Sequence, residues 1–355
     1  MNDIMLNSEE KTYYHRHLIL NGFREEAQIR LKKASVLVIG AGGLGCPLLQ
    51  YITAAGVGHI TIIDDDVISI NNLHRQVLYN VNDVGSLKAT VAKEKLSQQN
   101  PNIIIHAIVD SFNTGNAIDL VGKHDLVIDG SDNFVTRYIV NDACVINKKP
   151  FVSGAIYTFS GQVSVFNHNG GATYRCLYPE PPLPYEMTSC SETGVLGVLP
   201  AIIGSLMANE AIKLITGIGE TLSGRLLTYD ALTNSFNTFN ISLQPDNLNI
   251  KKIIPLSHIE CKNTDEITHE QFNHLLKTDK ENIEIIDVRE ISEFMEKNIG
   301  GKNISLSTLP NNLNIIDMNK TIVVVCSKGI RSRIGVKLIK EVCTNSVYSL
   351  VGGIK

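Results

Sequence analysis

Short apolar runs alternate with amphipathic segments along the first part of the chain. Apolar runs at residues 36–39, 59–63 and 126–130 have the length of buried strands, and each ends near a glycine or an acidic residue. Residues 46–55, between the first two runs, have the periodicity of a helix. Strands that alternate with helices are typical of a parallel sheet with helices on both faces. The pattern therefore predicts an α/β fold with a doubly wound, mainly parallel sheet.

The pattern stops and then begins again in the last third of the chain. Residues 241–265 have no clear periodicity and are rich in Asn, Lys and Asp, as expected for a linker. New apolar strands follow at 283–287 and 321–325. A chain of 355 residues is also long for a single hydrophobic core. We predict a first domain at residues 1–242, a linker at 243–263 and a smaller α/β domain at 264–355.

The loop after the first predicted strand is rich in glycine. Gly40, Gly42 and Gly45 have the spacing G-x-G-x-x-G, and Gly43 lies between them. Between a strand and a helix, this spacing makes a tight turn, lets the backbone approach a phosphate and lets the helix pack on the strand. The N-terminus of the helix offers free N–H groups to an anion. The motif predicts a Rossmann-like nucleotide site.

Polar residues beyond this motif favour ATP over a dinucleotide. A carboxylate at the end of the second strand, Asp64, can hold ribose hydroxyls. Further Arg and Lys side chains suit a triphosphate whose leaving group must be neutralised. Asp132 follows a strand and precedes a helix, so it is either an N-cap or a Mg²⁺ ligand at the same crevice. Besides the glycines, the expected nucleotide contacts are Asp64, Asp66, Asn72, Arg75, Gln76, Lys88, Asp132 and Asn133.

The net charge and the length of the apolar runs argue against nucleic acid and membranes as partners. A net charge of −4 gives no overall positive field for nucleic acid or an anionic membrane. The most apolar run, at residues 194–207, is too short to span a bilayer and is predicted to be a buried helix. Seven cysteines, an odd number, and a polar acidic start without signal-peptide features favour a reducing cytoplasm. We expect Cys46 and Cys144 to be small core residues.

Cys326 lies between a strongly apolar strand and a helix, in the sequence CSKGIRS. A ring of backbone N–H groups at such a turn stabilises a terminal anionic sulfur. Lys328 and Arg331 are expected to make the site electropositive. Four residues separate Cys326 from Arg331, whereas cysteine-dependent phosphatases have five. The tighter loop predicts a persulfide on Cys326 rather than a phosphate.

Several motifs in the first domain occur together in one known family. GAGGLG at 40–45, IIDDDVISINNLHRQ at 62–76, Lys88 in VGSLKA and GSDNFVTRYIVNDAC at 130–144 resemble the ThiF/MoeB/HesA family. Its members are adenylyltransferases of ubiquitin-like sulfur carriers and relatives of the ubiquitin-activating enzymes. The resemblance implies ATP, Mg²⁺ on Asp132, and a homodimer in which Arg16 reaches the partner's ATP site. It implies catalytic roles for Arg16, Arg75, Lys88 and Asp132.

The second domain resembles a rhodanese domain in IDVRE, CSKGIRS and the closing VYSLVGGIK. This resemblance implies a sulfurtransferase that carries sulfur on Cys326. In the first family a sulfur-handling cysteine occurs at the position of Cys190, in a proline-rich segment predicted to be an exposed, mobile loop. The alternative is an unreactive surface cysteine. Many relatives also bind zinc through two CxxC pairs, but only Cys176 remains here, so we predict no zinc.

These expectations combine into one function with three alternatives. The chain is expected to adenylate a sulfur carrier that ends in Gly-Gly and then to form its thiocarboxylate for molybdopterin synthesis, with a cysteine desulfurase as sulfur donor. The same chemistry for thiamine or another thiolated metabolite is the first alternative. An NAD-dependent oxidoreductase on the glycine-rich fold is the second, and a non-enzymatic carrier-binding scaffold is the third.

Overall fold

The computed structural model describes residues 5–181, 194–254 and 265–354. These residues form two compact units, the first made of residues 5–181 and 194–254 and the second of residues 265–354. The first unit therefore continues to Ile254, beyond the boundary expected at residue 242. The domain limits themselves stay predictions.

The described strands of the first unit form one eight-stranded sheet in the order β3-β2-β1-β4-β5-β6-β7-β8. They are β1 (Ser35–Ile39), β2 (His59–Ile63), β3 (Ile104–Ile108), β4 (Leu126–Asp129), β5 (Phe151–Tyr157), β6 (Ser160–Phe166), β7 (Arg225–Asp230) and β8 (Ser235–Asn240). Strands β1 to β5 pair in parallel, whereas β6 to β8 are antiparallel. The predicted mainly parallel α/β fold is confirmed.

Helices cover the parallel part of the sheet. They are α1 (Ser8–Tyr13), α2 (His15–Leu18), α3 (Arg24–Lys33), α4 (Gly45–Ala55), α5 (Lys88–Gln99), α6 (Ala117–Gly122), α7 (Phe134–Asn147), α8 (Tyr174–Leu177) and α9 (Leu199–Thr216). Val36, Leu37 and Val38 of β1 are fully buried, as expected for a strand that is covered on both faces. Val36 and Val38 share a core with Leu48 and Ile52 of α4.

By length and composition alone, α9 is apolar enough to cross a membrane. Half of it is nevertheless buried within the protein, where it packs on α4 and β5. Its buried Glu210 accepts a hydrogen bond from the Leu222 N–H at 2.8 Å and pairs with Lys213. These contacts are those of a core helix, in agreement with the predicted buried helix.

The helix that carries Lys88 begins later than its pattern suggests. Periodicity predicts a helix from Asp83, but the segment first makes a short 3₁₀ turn at Val81–Asp83 that is closed by a capping box with Asn80. Leu87 then pairs with Val67 in a β-bridge, which keeps this stretch extended. As a result, Lys88 is the first residue of α5 rather than a residue of its second turn.

The second unit has its own parallel sheet, in the order β11-β10-β12-β13-β9. Its strands are β9 (Glu266–Ile267), β10 (Ile283–Asp287), β11 (Lys302–Asn303), β12 (Thr321–Val325) and β13 (Val347–Leu350). Its helices are α10 (His269–Thr278), α11 (Ile291–Glu296) and α12 (Ile330–Lys340). The predicted strands at 283–287 and 321–325 are confirmed, and Cys326 follows β12 directly.

Candidate functional site

A cavity of about 370 Å³ lies at the carboxyl ends of β1 to β4. Ile39 and Ile63, the last residues of β1 and β2, line it, as do Asp110 beyond β3 and Gly130 beyond β4. This edge of a parallel sheet is the usual position of a ligand site in doubly wound folds. Most of the predicted nucleotide contacts line the cavity, namely Gly40, Gly42, Gly43, Asp64, Asp66, Arg75, Gln76, Lys88, Asp132 and Asn133.

The glycines of the turn differ in the space that surrounds them, measured by the atoms that an added Cβ would contact. Gly40 has a φ of +90°, which closes the turn after β1. A Cβ atom on Gly45 would lie 2.1 Å from the Gly40 carbonyl oxygen, so α4 can begin here only without a side chain. A Cβ atom on Gly42 would meet only the Gln76 amide, at 3.6 Å. Gly45 therefore serves packing, whereas Gly42 and Gly43 line the cavity.

Asp64 connects the end of β2 to the glycine turn. Its carboxylate accepts the Ala41 N–H at 2.7 Å and the Asp66 N–H at 2.9 Å. Burial raises the pKa of Asp64, and these hydrogen bonds and the charge of Lys88 act in the opposite direction. A carboxylate fixed in this way remains able to accept further hydrogen bonds, as a ribose contact requires.

Lys88 is almost entirely buried and is paired with Asp66. Its Nζ lies 2.6 Å from the Asp66 carboxylate, and its side chain is 6% exposed whereas that of Asp66 is 69% exposed. The Lys88 N–H also donates to the Asp66 carbonyl at 3.0 Å. The ammonium is thus held at the wall of the cavity by a carboxylate that solvent can reach.

Tyr79 links this lysine to the glycine turn, a contact that the sequence analysis missed. Its buried hydroxyl lies 2.8 Å from the Ala41 carbonyl and 3.3 Å from the Lys88 carbonyl. Burial raises the pKa of Tyr79, so the hydroxyl is a proton donor. Cys46 packs against the same carbonyl, and burial raises the pKa of its thiol to about 12.

Arg75 and Gln76 follow the short 3₁₀ helix at Ile70–Asn72. The Arg75 guanidinium donates to the Asn71 carbonyl at 3.1 Å and lies 2.8 Å from the His74 ring. Gln76 is buried, and its side-chain oxygen has no hydrogen-bond partner among the described residues. Its position in the cavity wall leaves this amide available to a ligand. Asn72, by contrast, does not line the cavity and donates to Asn71.

The structure separates the two roles that were considered for Asp132. The N-cap of α7 is Asn133, whose side chain accepts the Thr136 N–H at 2.8 Å. Asp132 is exposed at the cavity wall and is not needed as a cap. Its carboxylate oxygen is a suitable type of ligand for Mg²⁺, which usually binds one or two carboxylates together with phosphates.

Sequence reasoning missed a buried polar cluster beneath the end of β4. Asp129 is fully buried and accepts hydrogen bonds from Ser131 at 2.6 Å and from Ser153 at 3.3 Å. Arg137 lines the cavity and donates to the Ser131 carbonyl at 3.1 Å. Burial raises the pKa of Asp129, and Arg137 opposes the shift. The acid at the end of LVID was the available signal for this cluster.

Three more cavity residues come from the segment after β3. Asp110, Ser111 and Phe112 line the cavity, and Phe112 is otherwise buried. Asp110 and Ser111 are polar residues just beyond a strand end, the same signal that identified Asp64. Phe112 gives the cavity an aromatic wall that no motif indicated.

Arg16, a predicted catalytic residue, is not among the residues that line the cavity of its own chain. Arg16 is exposed on α2, within an N-terminal arm that consists of α1, α2 and α3. Cys190 lies outside the described residues, so its role stays a prediction.

Cys176 is held by hydrogen bonds. Its sulfur lies 3.4 Å from the Thr173 nitrogen, 3.3 Å from the Gln244 nitrogen and 3.7 Å from the Asn247 amide. Burial opposes the shift, but these hydrogen bonds lower the pKa of the Cys176 thiol. Within the described ranges, no group of three or more His, Cys, Asp and Glu side chains is arranged to hold a metal ion. The absence of zinc stays a prediction.

In the second unit, Cys326 lies in the predicted turn between β12 and α12. Its sulfur accepts the Gly329 N–H at 3.0 Å and the Ser332 N–H at 3.3 Å. The Ser332 hydroxyl lies 2.8 Å from that of Ser349, and both serines are buried. A Cβ atom on Gly353 would lie 2.3 Å from the Cys326 carbonyl oxygen, so the backbone at Gly353 packs directly against this turn.

The structure places less positive charge around Cys326 than the sequence predicted. Lys328 is exposed, but the Arg331 guanidinium forms two hydrogen bonds with the Glu293 carboxylate, at 2.7 and 2.8 Å. The expectation considered only residues inside the loop, whereas Glu293 is 38 positions earlier in the chain.

Residues 14–250 match the ThiF family, and residues 268–355 match the rhodanese-like domain. The first match covers more than half of the chain. The chain belongs to the ThiF family.

Two of the relatives of this ThiF family chain are named for both an adenylyltransferase and a sulfurtransferase activity, and a third is named for the adenylyltransferase activity. A probable adenylyltransferase/sulfurtransferase MoeZ of Mycobacterium tuberculosis is 42% identical, with 98% of this chain and 93% of the relative covered. Adenylyltransferase and sulfurtransferase MOCS3-1 of Drosophila pseudoobscura is 36% identical, with 98% and 83% covered. A sulfur carrier protein adenylyltransferase of Thermus thermophilus is 51% identical, with 67% and 89% covered. The predicted adenylyltransferase with a sulfurtransferase domain is confirmed.

Solved structures share the fold of this ThiF family chain. E. coli MccB with MccA-N7isoASN has a TM-score of 0.60 at 24% identity, with 67% of this chain and 74% of that chain covered. E. coli MccB with ATP has a TM-score of 0.56 at 23% identity, with 62% and 68% covered. At this identity, the likeness confirms the fold.

The glycine geometry of the ThiF turn predicts opposite results for two substitutions to alanine. Gly45→Ala should lower the free energy of unfolding by about 3 kcal/mol, because its Cβ collides with a backbone carbonyl that cannot move freely. Gly42→Ala should change it by less than about 0.5 kcal/mol, because its Cβ makes one ordinary contact. Urea unfolding of both variants, followed by circular dichroism, measures the difference. Equal destabilisation would contradict the separate roles.

Proposed function

We propose that the chain adenylates the C-terminal glycine of a ubiquitin-like sulfur carrier protein and then converts the acyl-adenylate to a thiocarboxylate. The observation that carries the proposal is the cavity in which the glycine turn meets three cations, Arg75, Lys88 and Arg137, and five carboxylates, Asp64, Asp65, Asp66, Asp110 and Asp132. A nicotinamide dinucleotide would leave Arg75 and Lys88 without a function. Relatives named as sulfur carrier adenylyltransferases support the choice of substrate.

ATP is the nucleotide that suits this cavity. The backbone of the glycine turn would face the phosphates, and Asp64 would accept hydrogen bonds from the ribose. Arg75 and Lys88 would neutralise the leaving pyrophosphate. Asp132 would hold Mg²⁺, which supplies further neutralisation of phosphate charge when bound.

The adenylation step needs little acid–base chemistry from the protein. A C-terminal carboxylate is already ionised at pH 7 and can attack the α-phosphate directly. A bond forms between the carboxylate oxygen and the α-phosphorus as the bond from this phosphorus to the pyrophosphate oxygen breaks, so the products are the acyl-adenylate and pyrophosphate. Catalysis then consists of positioning the reactants and neutralising charge.

ATP–pyrophosphate exchange, with candidate carriers ending in Gly-Gly added one at a time, tests this step. The native chain should support exchange with its own carrier, and Lys88→Ala should reduce it at least about 100-fold because one cation at the leaving group is lost. Lys93→Ala is the matched control, since Lys93 is an exposed lysine on the same helix. No exchange with any carrier, together with tight NAD binding, would instead favour an oxidoreductase. Carrier binding without exchange would favour a non-enzymatic scaffold.

The sulfur step is proposed to begin with a persulfide on Cys326. Its terminal sulfur attacks the carrier acyl-adenylate, AMP leaves, and an acyl disulfide joins the carrier to Cys326. The Cys190 thiolate then attacks the Cys326 sulfur, which releases the carrier thiocarboxylate and leaves a Cys190–Cys326 disulfide for reduction by an external thiol. The two N–H groups at the Cys326 sulfur support a role for this residue as an anionic sulfur carrier.

Substitution of Cys326 separates the two activities. Cys326→Ala should abolish thiocarboxylate formation, measured by mass spectrometry of the carrier, because no sulfur can be loaded. It should leave ATP–pyrophosphate exchange within about twofold of the native rate, since adenylation uses the other unit. Cys343→Ala, at a buried cysteine of the same unit, should retain both activities. Loss of exchange in Cys326→Ala would count against this division of labour.

We also propose that the enzyme is a homodimer in which Arg16 completes the partner's ATP site. The exposure of Arg16 and its position away from its own cavity support this role. In a symmetric dimer, each chain would give its arm to the other.

Mixed dimers test the shared site. Arg16→Ala and Lys88→Ala homodimers should each be inactive in exchange. Subunits exchanged between them should restore about one quarter of native activity, because half of the dimers are mixed and each has one intact site. The measurement is exchange activity before and after mixing, with size-exclusion chromatography as a check on the dimer. No recovery in confirmed mixed dimers would contradict a partner arginine.

The pathway is the finer part of the proposal. Molybdopterin synthesis is favoured because full-length relatives are named MoeZ and MOCS3. Thiamine or another thiolated metabolite is the alternative, and the carrier that supports exchange would decide between them. A cysteine desulfurase would supply the persulfide sulfur. A cytoplasmic location suits this chemistry, because the thiols of Cys190 and Cys326 must return to the reduced state after each cycle.

A further inference from the structure

Arg331, in the first turn of α12 just after the Cys326 turn, forms an ion pair with an acid from another element. Its two terminal nitrogens donate to the two oxygens of Glu293, at 2.7 and 2.8 Å. The arginine side chain is 13% exposed and the glutamate 35% exposed. Bidentate pairs between arginine and a carboxylate are stronger and more specific in geometry than single neutral hydrogen bonds.

The backbone fixes Glu293 for this contact. Glu293 is the third residue of α11 and accepts the Glu290 N–H at 3.1 Å in a capping box. The hydrogen bonds from Arg331 lower the pKa of Glu293, so it stays a carboxylate. The chain just before α11 is anchored by the buried pair of Asp287 and Arg289, at 2.7 Å.

The ion pair of Arg331 and Glu293 lies beside the turn that holds Cys326. Arg331 also donates to the Ser327 hydroxyl at 2.9 Å, and Ser327 is the neighbour of Cys326 in the loop. Of the two cations in the loop sequence, Lys328 remains exposed and Arg331 is offset by a carboxylate. Lys328, Arg331 and Glu293 together thus carry one net positive charge, whereas the two cations alone would carry two.

Two classes of sulfur donor, thiosulfate and thiol persulfides, differ in the charge of the group that they release. Transfer from thiosulfate breaks its S–S bond, forms the Cys326 persulfide from the thiolate and releases sulfite, which is a dianion. Transfer from a thiol persulfide forms the same Cys326 persulfide and releases a thiolate with a single charge at sulfur. The first route needs more positive charge at the rim than the second.

We propose that Glu293 is a specificity-determining residue that disfavours thiosulfate and favours the persulfide of a thiol or a protein cysteine as the donor to Cys326. The inference rests on the proposed sulfur step. It adds to that step the residue that selects the donor and the reason for the selection, which is neutralisation of Arg331.

The experiment compares two donors on the full-length chain. Glu293→Gln retains an oxygen for the Glu290 N–H but loses the charge. Its kcat/KM for thiosulfate, measured as thiocyanate formed with cyanide as acceptor, should rise about tenfold over the native chain, and less at high salt. Loading of Cys326 from cysteine persulfide, measured by mass spectrometry, should change less than twofold.

Two further variants control the result. Glu296→Gln removes the same charge from the same helix at an exposed residue that has no ion pair in the described residues, and it should not raise thiosulfate activity. Glu293→Gln combined with Arg331→Gln should lose the gain. If Glu293→Gln does not fold, Glu293→Ala provides the same test, since alanine suits a helix.

The outcomes separate this inference from the proposed function. A rise with thiosulfate in Glu293→Gln alone supports the inference. No rise, or an equal rise in Glu296→Gln, while cysteine persulfide still loads Cys326, overturns the inference and leaves the sulfur step intact. Failure of both donors to load Cys326 in the native chain overturns the sulfur step and the inference with it.

Discussion

The parallel pairing of β1 with β2 and β4 determines where the charged residues of the first unit meet. Ile39 is in register with Ile63 on one side and with Asp129 on the other. The three strands therefore end at the same level, and the next residues in each, Gly40, Asp64 and Gly130, surround one opening. The absence of a side chain at Gly45 lets α4 begin directly against this edge. The position of the glycine turn, Asp64 and Gly130 around the cavity depends on this alignment.

The register alone does not fix the cations, which come from more distant segments. Lys88 is held by Asp66 through both side chain and backbone, so the strand end that carries Asp64 also determines the lysine's position. Tyr79 adds a second connection, from the glycine turn to the backbone of Lys88. Turn, strand end and lysine thus form one hydrogen-bonded assembly. Such preorganisation limits the reorganisation that charge neutralisation requires during a reaction.

The sequence predicted those parts of the fold and site that local pattern controls. Strand ends, the glycine turn and the Cys326 turn all lie within short segments, and β2, β10 and β12 have their predicted bounds. The start of α5 was wrong because a β-bridge from Val67 keeps the preceding residues extended, which periodicity cannot detect. Asp129 and Arg137 were missed because their burial, and the contact of Asp129 with Ser153 of β5, form only in the folded chain. Glu293 was missed for the same reason, because its partner is remote in sequence.

Each unit has an ion pair beside its site, Lys88 with Asp66 in the first and Arg331 with Glu293 in the second. The two pairs are expected to respond differently to an incoming anion. Lys88 faces a cavity that also offers Arg75 and the glycine turn, so a triphosphate brings more charge than Asp66 and finds more partners than the lysine alone. The exposed Asp66 can therefore be displaced at little cost. Around Cys326, the Gly329 and Ser332 N–H groups are already directed at the sulfur. A small dianion gains few partners there, and displacing the pinned Glu293 would leave a partly buried carboxylate without its arginine. Under the proposed functions, the same kind of ion pair yields to an anion in the first unit and disfavours one in the second.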